Sequence, residues 1–306
     1  MPYIDLPERW NLRLFYISNP IQDGGEIKSR PLDYTRHTLV FFHAGTSSSA
    51  GLIKQQLDPR LAASFNLLFM DAPHHGGTTQ DDKETHTVEE SADDLRAALN
   101  VLQVPSYTLF GEGVNGGNCA VFITLKEPQK VKGLILASPG PMREDPAVHS
   151  SLMRLIEAMS MHKDGRGDGT GRIEKEVLYA VGEYFVGGAP RLQTSREAAE
   201  LAFDKRYGTG HSAHDMRWIL LSGAEREPPS PAELASIRCP VLILSGSEDK
   251  VISPLSAAEE WKKAFKGAKG GATIASISGA PHLMSMSDYS IVNRMILQFT
   301  KRNLEA

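Results

Sequence analysis

Four short runs, "TLVFF", "NLLFM", "GLILA" and "VLILS", are almost unbroken in apolar residues. A strand with one wet face alternates apolar and polar positions, whereas a parallel strand covered on both faces does not need to. These runs therefore predict interior strands. Strand candidates are Leu12–Ile17, Thr38–His43, Asn66–Asp71, Tyr107–Phe110, Val131–Ala137, Pro240–Ser245 and Thr273–Ile277. Between them, Ser49–Phe65, Thr87–Val104, Gly116–Lys126, Pro254–Phe265 and Ser287–Asn303 carry apolar residues at helical spacing. Strands alternating with amphipathic helices give a mostly parallel central sheet flanked by helices, an α/β architecture.

The alternation stops between Met142 and about Ile237. This stretch offers helices over Ser150–Met161, Ile173–Phe185, Ser195–Lys205 and Ala213–Leu221, with no convincing strand. Its loop His162–Arg172, "HKDGRGDGTGR", can bury little surface and is expected to be mobile. The expected organisation is a core of residues 1–141 and 238–306 with a helical insertion, 142–237, over the sheet.

Composition narrows the function classes. With 41% hydrophobic residues in 306, the chain can bury a large core. Its 33 basic and 37 acidic side chains are mixed along the sequence, which leaves no basic face for nucleic acid and no polybasic membrane patch. The start, "MPYIDLPERW", has acidic residues and prolines and no apolar run, so no membrane partner is expected and a cytoplasmic location is the default. The two cysteines, Cys119 and Cys239, read as buried thiols rather than a disulfide. The ten histidines include His74–His75, but no H-E-x-x-H helix or converging cysteines accompany them, so no metal and no cofactor are assigned.

Chemistry is suggested by four segments at strand ends: "FFHAGTSSS", "FMDAPHHGGTT", "YTLFGEGVNGG", and the pair "LSGSEDKVISP" and "SISGAPHLMSM". Their order and spacing resemble the α/β-hydrolase superfamily with a helical cap. The resemblance implies an oxyanion loop at Gly45, a nucleophile elbow in the third segment, and a catalytic acid and histidine at Asp249 and His282. Glu248 and Asp145 are weaker candidates for the acid. His43 reads as a buried, hydrogen-bonded structural residue.

The elbow carries no nucleophile. "L-F-G-E-G" aligns Gly113 with the serine of G-x-S-x-G, while other registers place Val114 or Asn115 there, and none of the three side chains can attack. Glycine suits the strained positive-φ apex, so Gly113 keeps the turn and deletes the chemistry. The N–H of Val114 remains available to complete an oxyanion site with Gly45, and Glu112 is expected to line or solvate the pocket. Cys119 and Ser47 to Ser49 are poor substitutes for the missing serine.

Two functions are compatible with these residues. In one, His282, oriented by Asp249, acts as a general base on water or on a small apolar or aromatic molecule, the serine-free chemistry that the superfamily resemblance includes. The other is a ligand-binding or interaction protein, since "GEGVNGG" is similar to the serine-free elbow of the N-myc downstream-regulated family. Met153, Met159, Met161, Phe185 and Trp218 are the apolar cap residues expected near such a pocket.

Overall fold

The computed structural model describes residues 2–45, 47–81, 86–163, 179, 182–183, 185–186, 190–197, 200 and 213–305, leaving the side chains of 155–163 and 213–217 aside. The strands among the described residues are β1 Tyr3–Leu6, β2 Leu12–Ser18, β3 Ile21–Asp23, β4 Glu26–Lys28, β5 Thr38–Phe42, β6 Asn66–Met70, β7 Tyr107–Glu112, β8 Val131–Ala137, β9 Val241–Gly246 and β10 Thr273–Ile277. The helices are α1 Ile53–Gln56, α2 Pro59–Ser64, α3 Val88–Val101, α4 Gly113–Lys126, α5 Pro146–Lys163, α6 Ala213–Ala224, α7 Pro231–Ser236, α8 Leu255–Ala264, α9 Met284–Ser287 and α10 Tyr289–Leu304. None of the described helices is long and apolar enough to cross a membrane.

Eight strands form one sheet in the order β1-β2-β6-β5-β7-β8-β9-β10. β1 and β2, and β2 and β6, pair antiparallel. From β6 to β10 every pair is parallel. The loops that follow β5, β7, β9 and β10 therefore leave the same edge of the sheet, where ligands bind in open parallel sheets.

The continuous apolar runs divide residue by residue between two cores. Val40, Phe42, Leu68, Met70, Leu109 and Leu134 pack against α3, α4 and α8 on one face. Leu39, Phe41, Leu67, Phe69, Phe110 and Ile135 pack against Leu52, α2, α9 and α10 on the other. Phe41 stacks on Phe69 at 4.5 Å between ring centroids. The period of two is present, but both phases are apolar because both faces are covered.

The structure corrects several boundaries. The single helix expected over Ser49–Phe65 is a 3₁₀ turn, Ser49–Leu52, followed by α1 and α2. Pro59 forces the break: the residue before a proline avoids the helical region, and Asp58 sits at ψ 111° as the N-cap of α2. The short strands β1, β3 and β4 were not anticipated, because each offers too few apolar residues to show a pattern. No strand lies in 142–237 among the described residues. Residues 164–178 and 201–212 lie outside the described residues, and with them most of the loop expected over His162–Arg172 and of the helices expected over Ile173–Phe185 and Ser195–Lys205.

Asp58 also anchors α10, because Asn293 Nδ2 donates to its Oδ2 at 2.9 Å and Arg60 pairs with the same oxygen at 2.6 Å. Burial opposes its charge, but the donors from Arg60, Asn293 and the N–H of Leu61 outweigh it and hold the carboxyl at about 2. Replacing Asp58 by alanine is expected to lower unfolding stability by about 1–2 kcal/mol in urea titration, with Asp58→Asn losing less because asparagine still caps. The folded pKa lies below the unfolded one, so the wild-type advantage is full above pH ~4 and disappears as the pH falls toward 2.

Candidate active site

β9 and β10 are neighbours, and the loops after them bring two residues 33 positions apart into contact. His282 Nδ1 meets Asp249 Oδ2 at 2.8 Å, with both side chains buried. Asp249 is fixed from its other oxygen, where Oδ1 accepts the N–H of Ser253 at 2.9 Å. Ser253 Oγ in turn accepts the N–H of Gly140 at 3.1 Å, tying the acid loop to the end of β8. A carboxylate at Nδ1 places the Nδ1 proton between the two groups and leaves Nε2 for other chemistry.

That nitrogen faces the elbow. Gly113 joins β7 to α4 at φ +67°, and a β-carbon built on it would lie 3.4 Å from His282 Nε2. Gly113 is thus the apex of the turn, and Val114 and Asn115 lie beyond it in the first turn of α4. The same added carbon would stand only 2.9 Å from the Ala44 methyl and 3.3 Å from its Cα. Ala44 therefore fills the space beside the apex that a larger residue at 113 would need.

Burial works against charge on both partners. In His282 it is outweighed by the Asp249 carboxylate and the charge of Glu112, which raise the imidazole above its ordinary range. In Asp249 it is outweighed by His282 and the Ser253 N–H, which hold the carboxyl below its ordinary range.

Gly45, Val114, Asn115 and His282 border a cleft of about 540 Å³. Asn115 bridges to the helical stretch above, its Nδ2 donating to the Ile219 carbonyl at 3.4 Å. A side chain on Gly45 would run into the Asn115 amide, 3.0 Å from Oδ1. The cleft is otherwise apolar, with Val148, Leu152, Phe185, Leu220 and Ile252 in its walls. Its one carboxylate, Glu144, is paired with buried Arg226 at 2.9 Å. Of the cap residues expected here, Phe185 lines the cleft with its ring 6.1 Å from the His282 ring. Met153 is exposed, Trp218 borders other cavities, and the side chains of Met159 and Met161 lie outside the described residues.

Residues 34–287 match the protein family described as serine aminopeptidase, S33. The chain belongs to that family. Its sheet is the α/β-hydrolase fold, and solved structures agree: a hydrolase from Pseudomonas aeruginosa superposes with a TM-score of 0.75 at 17% identity, covering 98% of this chain and 97% of that one. A thermophilic esterase from Thermogutta terrifontis gives 0.73 at 18% identity, covering 95% and 94%. In sequence, a bifunctional esterase/perhydrolase of Acinetobacter calcoaceticus is 23% identical over 297 residues, covering 92% of this chain and 98% of the relative. In this α/β hydrolase the turn from β7 into α4 holds a glycine, Gly113, at positive φ.

Glu112 departs from expectation. It does not line the cleft; its carboxylate is buried and accepts from Ser285 N at 3.0 Å and Ser285 Oγ at 2.6 Å. The alternation of β7 explains the difference, since the residue before the apex points into the fold rather than at the ligand. Glu248 is exposed beside Lys250, and Asp145 is exposed and caps the N–H of Ala147, so neither reaches His282. Cys119 is buried in the core with its thiol pushed up to about 12 by burial, and Cys239 is likewise a free thiol at about 12. His43 accepts the N–H of Ala72 on Nε2 and donates from Nδ1 to the Ala44 carbonyl, which holds the loop after β5 against the loop after β6. Sequence reasoning missed Asp71, whose carboxylate accepts the N–H groups of Ser49 and Gly77 at 2.6 and 2.8 Å and shapes both loops.

The packing at the apex gives a double-variant prediction. Gly113→Ser alone should lose about 1–3 kcal/mol of unfolding stability, from positive-φ strain and contact with Ala44. In the Ala44→Gly/Gly113→Ser double variant part of that loss should return. Chemical denaturation of the four proteins of the cycle checks it, and a double variant less stable than Gly113→Ser would contradict the packing argument.

Proposed function

We propose that this chain is an esterase-like enzyme for small apolar molecules in which His282, oriented by Asp249, works as a general base without a side-chain nucleophile. The single observation behind this reading is the pairing of His282 Nδ1 with Asp249 while Nε2 faces a glycine apex across an apolar cleft. Water held at Nε2 gives its proton to His282 as its oxygen attacks a bound carbonyl, and the N–H groups of Gly45 and Val114 receive the developing negative charge. The adduct then collapses with cleavage of the ester C–O bond as the imidazolium protonates the leaving oxygen. Asp249 keeps the imidazole in the required tautomer and stabilises the imidazolium that forms. Residues 142–237 act as the cap that covers the substrate, and 1–141 with 238–306 supply the catalytic core.

Magnitudes limit the substrate class. General-base assistance contributes about 10²–10⁴-fold. Each oxyanion donor contributes about 10²–10³-fold. Together these serve an activated ester or a strained lactone, whereas an unactivated amide needs more. The neutralised Glu144–Arg226 pair and the aliphatic walls favour an uncharged, apolar substrate over a polar one.

Absence of a nucleophile also supports a second reading, a ligand-binding protein that keeps the cleft without turnover. The two are separated by assaying wild type and His282→Ala on aryl esters of apolar acids, with thermal-shift binding in parallel. The enzyme reading expects wild-type turnover that falls about 10²–10⁴-fold in the variant. Equal rates in both proteins, together with ligand-dependent stabilisation, would establish the binding protein. Because only the unprotonated imidazole is a base and its proton affinity is raised, the wild-type rate should climb with pH through a midpoint above 6.5.

A further inference from the structure

His282 is held at two points, and only one of them is Asp249. Three residues further on, Ser285 is fixed on every polar group: its N–H and hydroxyl donate to the two oxygens of Glu112, at 3.0 and 2.6 Å, and its carbonyl accepts from Gln55 Nε2 at 2.9 Å. The same Gln55 nitrogen donates to Asn293 Oδ1 at 2.8 Å, and Asn293 Nδ2 donates to Asp58 Oδ2 at 2.9 Å. A line of buried polar side chains thus runs from the elbow through the histidine turn to the cap of α2.

A carboxylate at the centre of such a line is an expensive choice if support were all that was required. Glu112 is almost fully buried, and an uncharged amide of the same shape would satisfy Ser285 without removing an ion from water. What the charge adds is its position. The Glu112 carboxylate lies against the N–H and hydroxyl of Ser285, in the turn that carries His282, so its field reaches the imidazole from that turn while Asp249 acts from the Nδ1 side.

We propose that Glu112 is a positioning residue of the active site: through Ser285 it fixes the turn that carries His282, and its negative charge sets, together with Asp249, when the imidazole holds a proton. The groups that bear on His282 are these two carboxylates, with Glu144 across the cleft neutralised by Arg226. The imidazole acts in turn on Glu112, whose own proton affinity is raised by burial and opposed by the Ser285 donors and by His282. The three groups therefore bear on one another's proton affinity, with His282 between two carboxyl groups rather than beside one. The proposal rests on His282 being the working group of the site, but it does not require turnover.

The test follows the His282 ring nitrogens by NMR across pH in the full chain labelled with ¹⁵N-histidine, its signal assigned by its loss in His282→Asn. In Glu112→Gln, which keeps the shape and the bond from the Ser285 N–H, the His282 midpoint should fall by at least half a unit, about a threefold loss of proton affinity. Ser285→Ala removes the hydroxyl that favours the charged form of Glu112 and should lower the midpoint by less. Thermal melting establishes that each variant is folded; if Glu112→Gln does not fold, Ser285→Ala decides alone. A midpoint unchanged or raised in the folded variants overturns the proposal. Missing ester turnover with the midpoint shifted would count against the enzymatic reading and leave this one standing.

Discussion

Everything distinctive about the site follows from one buried ion-pairing interaction, the hydrogen bond between His282 and Asp249. Removing two ionisable groups from water is costly, and the cost is offset only where geometry is good and the remaining polar atoms find partners. The parallel order of β8, β9 and β10 supplies that geometry. It places the acid and histidine loops side by side at one edge, and the end of β8 buttresses the acid loop through Ser253. Without the shared edge the two residues would be ordinary loop side chains.

The same edge carries the turn from β7 into α4, with Gly113 at its start. The apex needs a residue at positive φ so that the chain can pass from β7 into α4 within one step. Glycine meets that need more easily than any side chain, because it carries no β-carbon. The neighbouring loop has settled against the glycine, with the Ala44 methyl in the space beside it. In this member of a family described as serine aminopeptidases, His282 Nε2 thus faces a glycine rather than a side chain.

Polar contacts also tie the elbow to the rest of the molecule in two directions. Inward, Glu112 and Ser285 connect it to Gln55 and Asn293 beneath the sheet edge. Outward, Asn115 connects it to α6, which forms part of the cleft wall. Apolar packing fixes the layers but tolerates small displacements. Directional bonds to the elbow and the histidine turn hold those two segments in register where a shift of an ångström would separate Nε2 from its target.

The amino-acid sequence by itself determined the layers of this protein and the order of its loops. Runs such as "TLVFF" predict interior strands, because a wet face would alternate, and the glycine-rich turn after "YTLF" is read without coordinates. Strand-end positions of Asp249 and His282 were likewise legible from the alternation of elements. What the sequence could not contain was direction at the level of single side chains. Glu112 reads as a pocket residue until the pleat of β7 turns it inward to Ser285, 173 positions away. The spacing over Ser49–Phe65 reads as one helix, and only the folded chain reveals the break at Pro59 and that the capping Asp58 holds Asn293 of the last helix. Local pattern fixes which elements form, since it depends on neighbours along the chain; the partners of buried polar groups depend on residues hundreds of positions apart, and tertiary packing alone selects them.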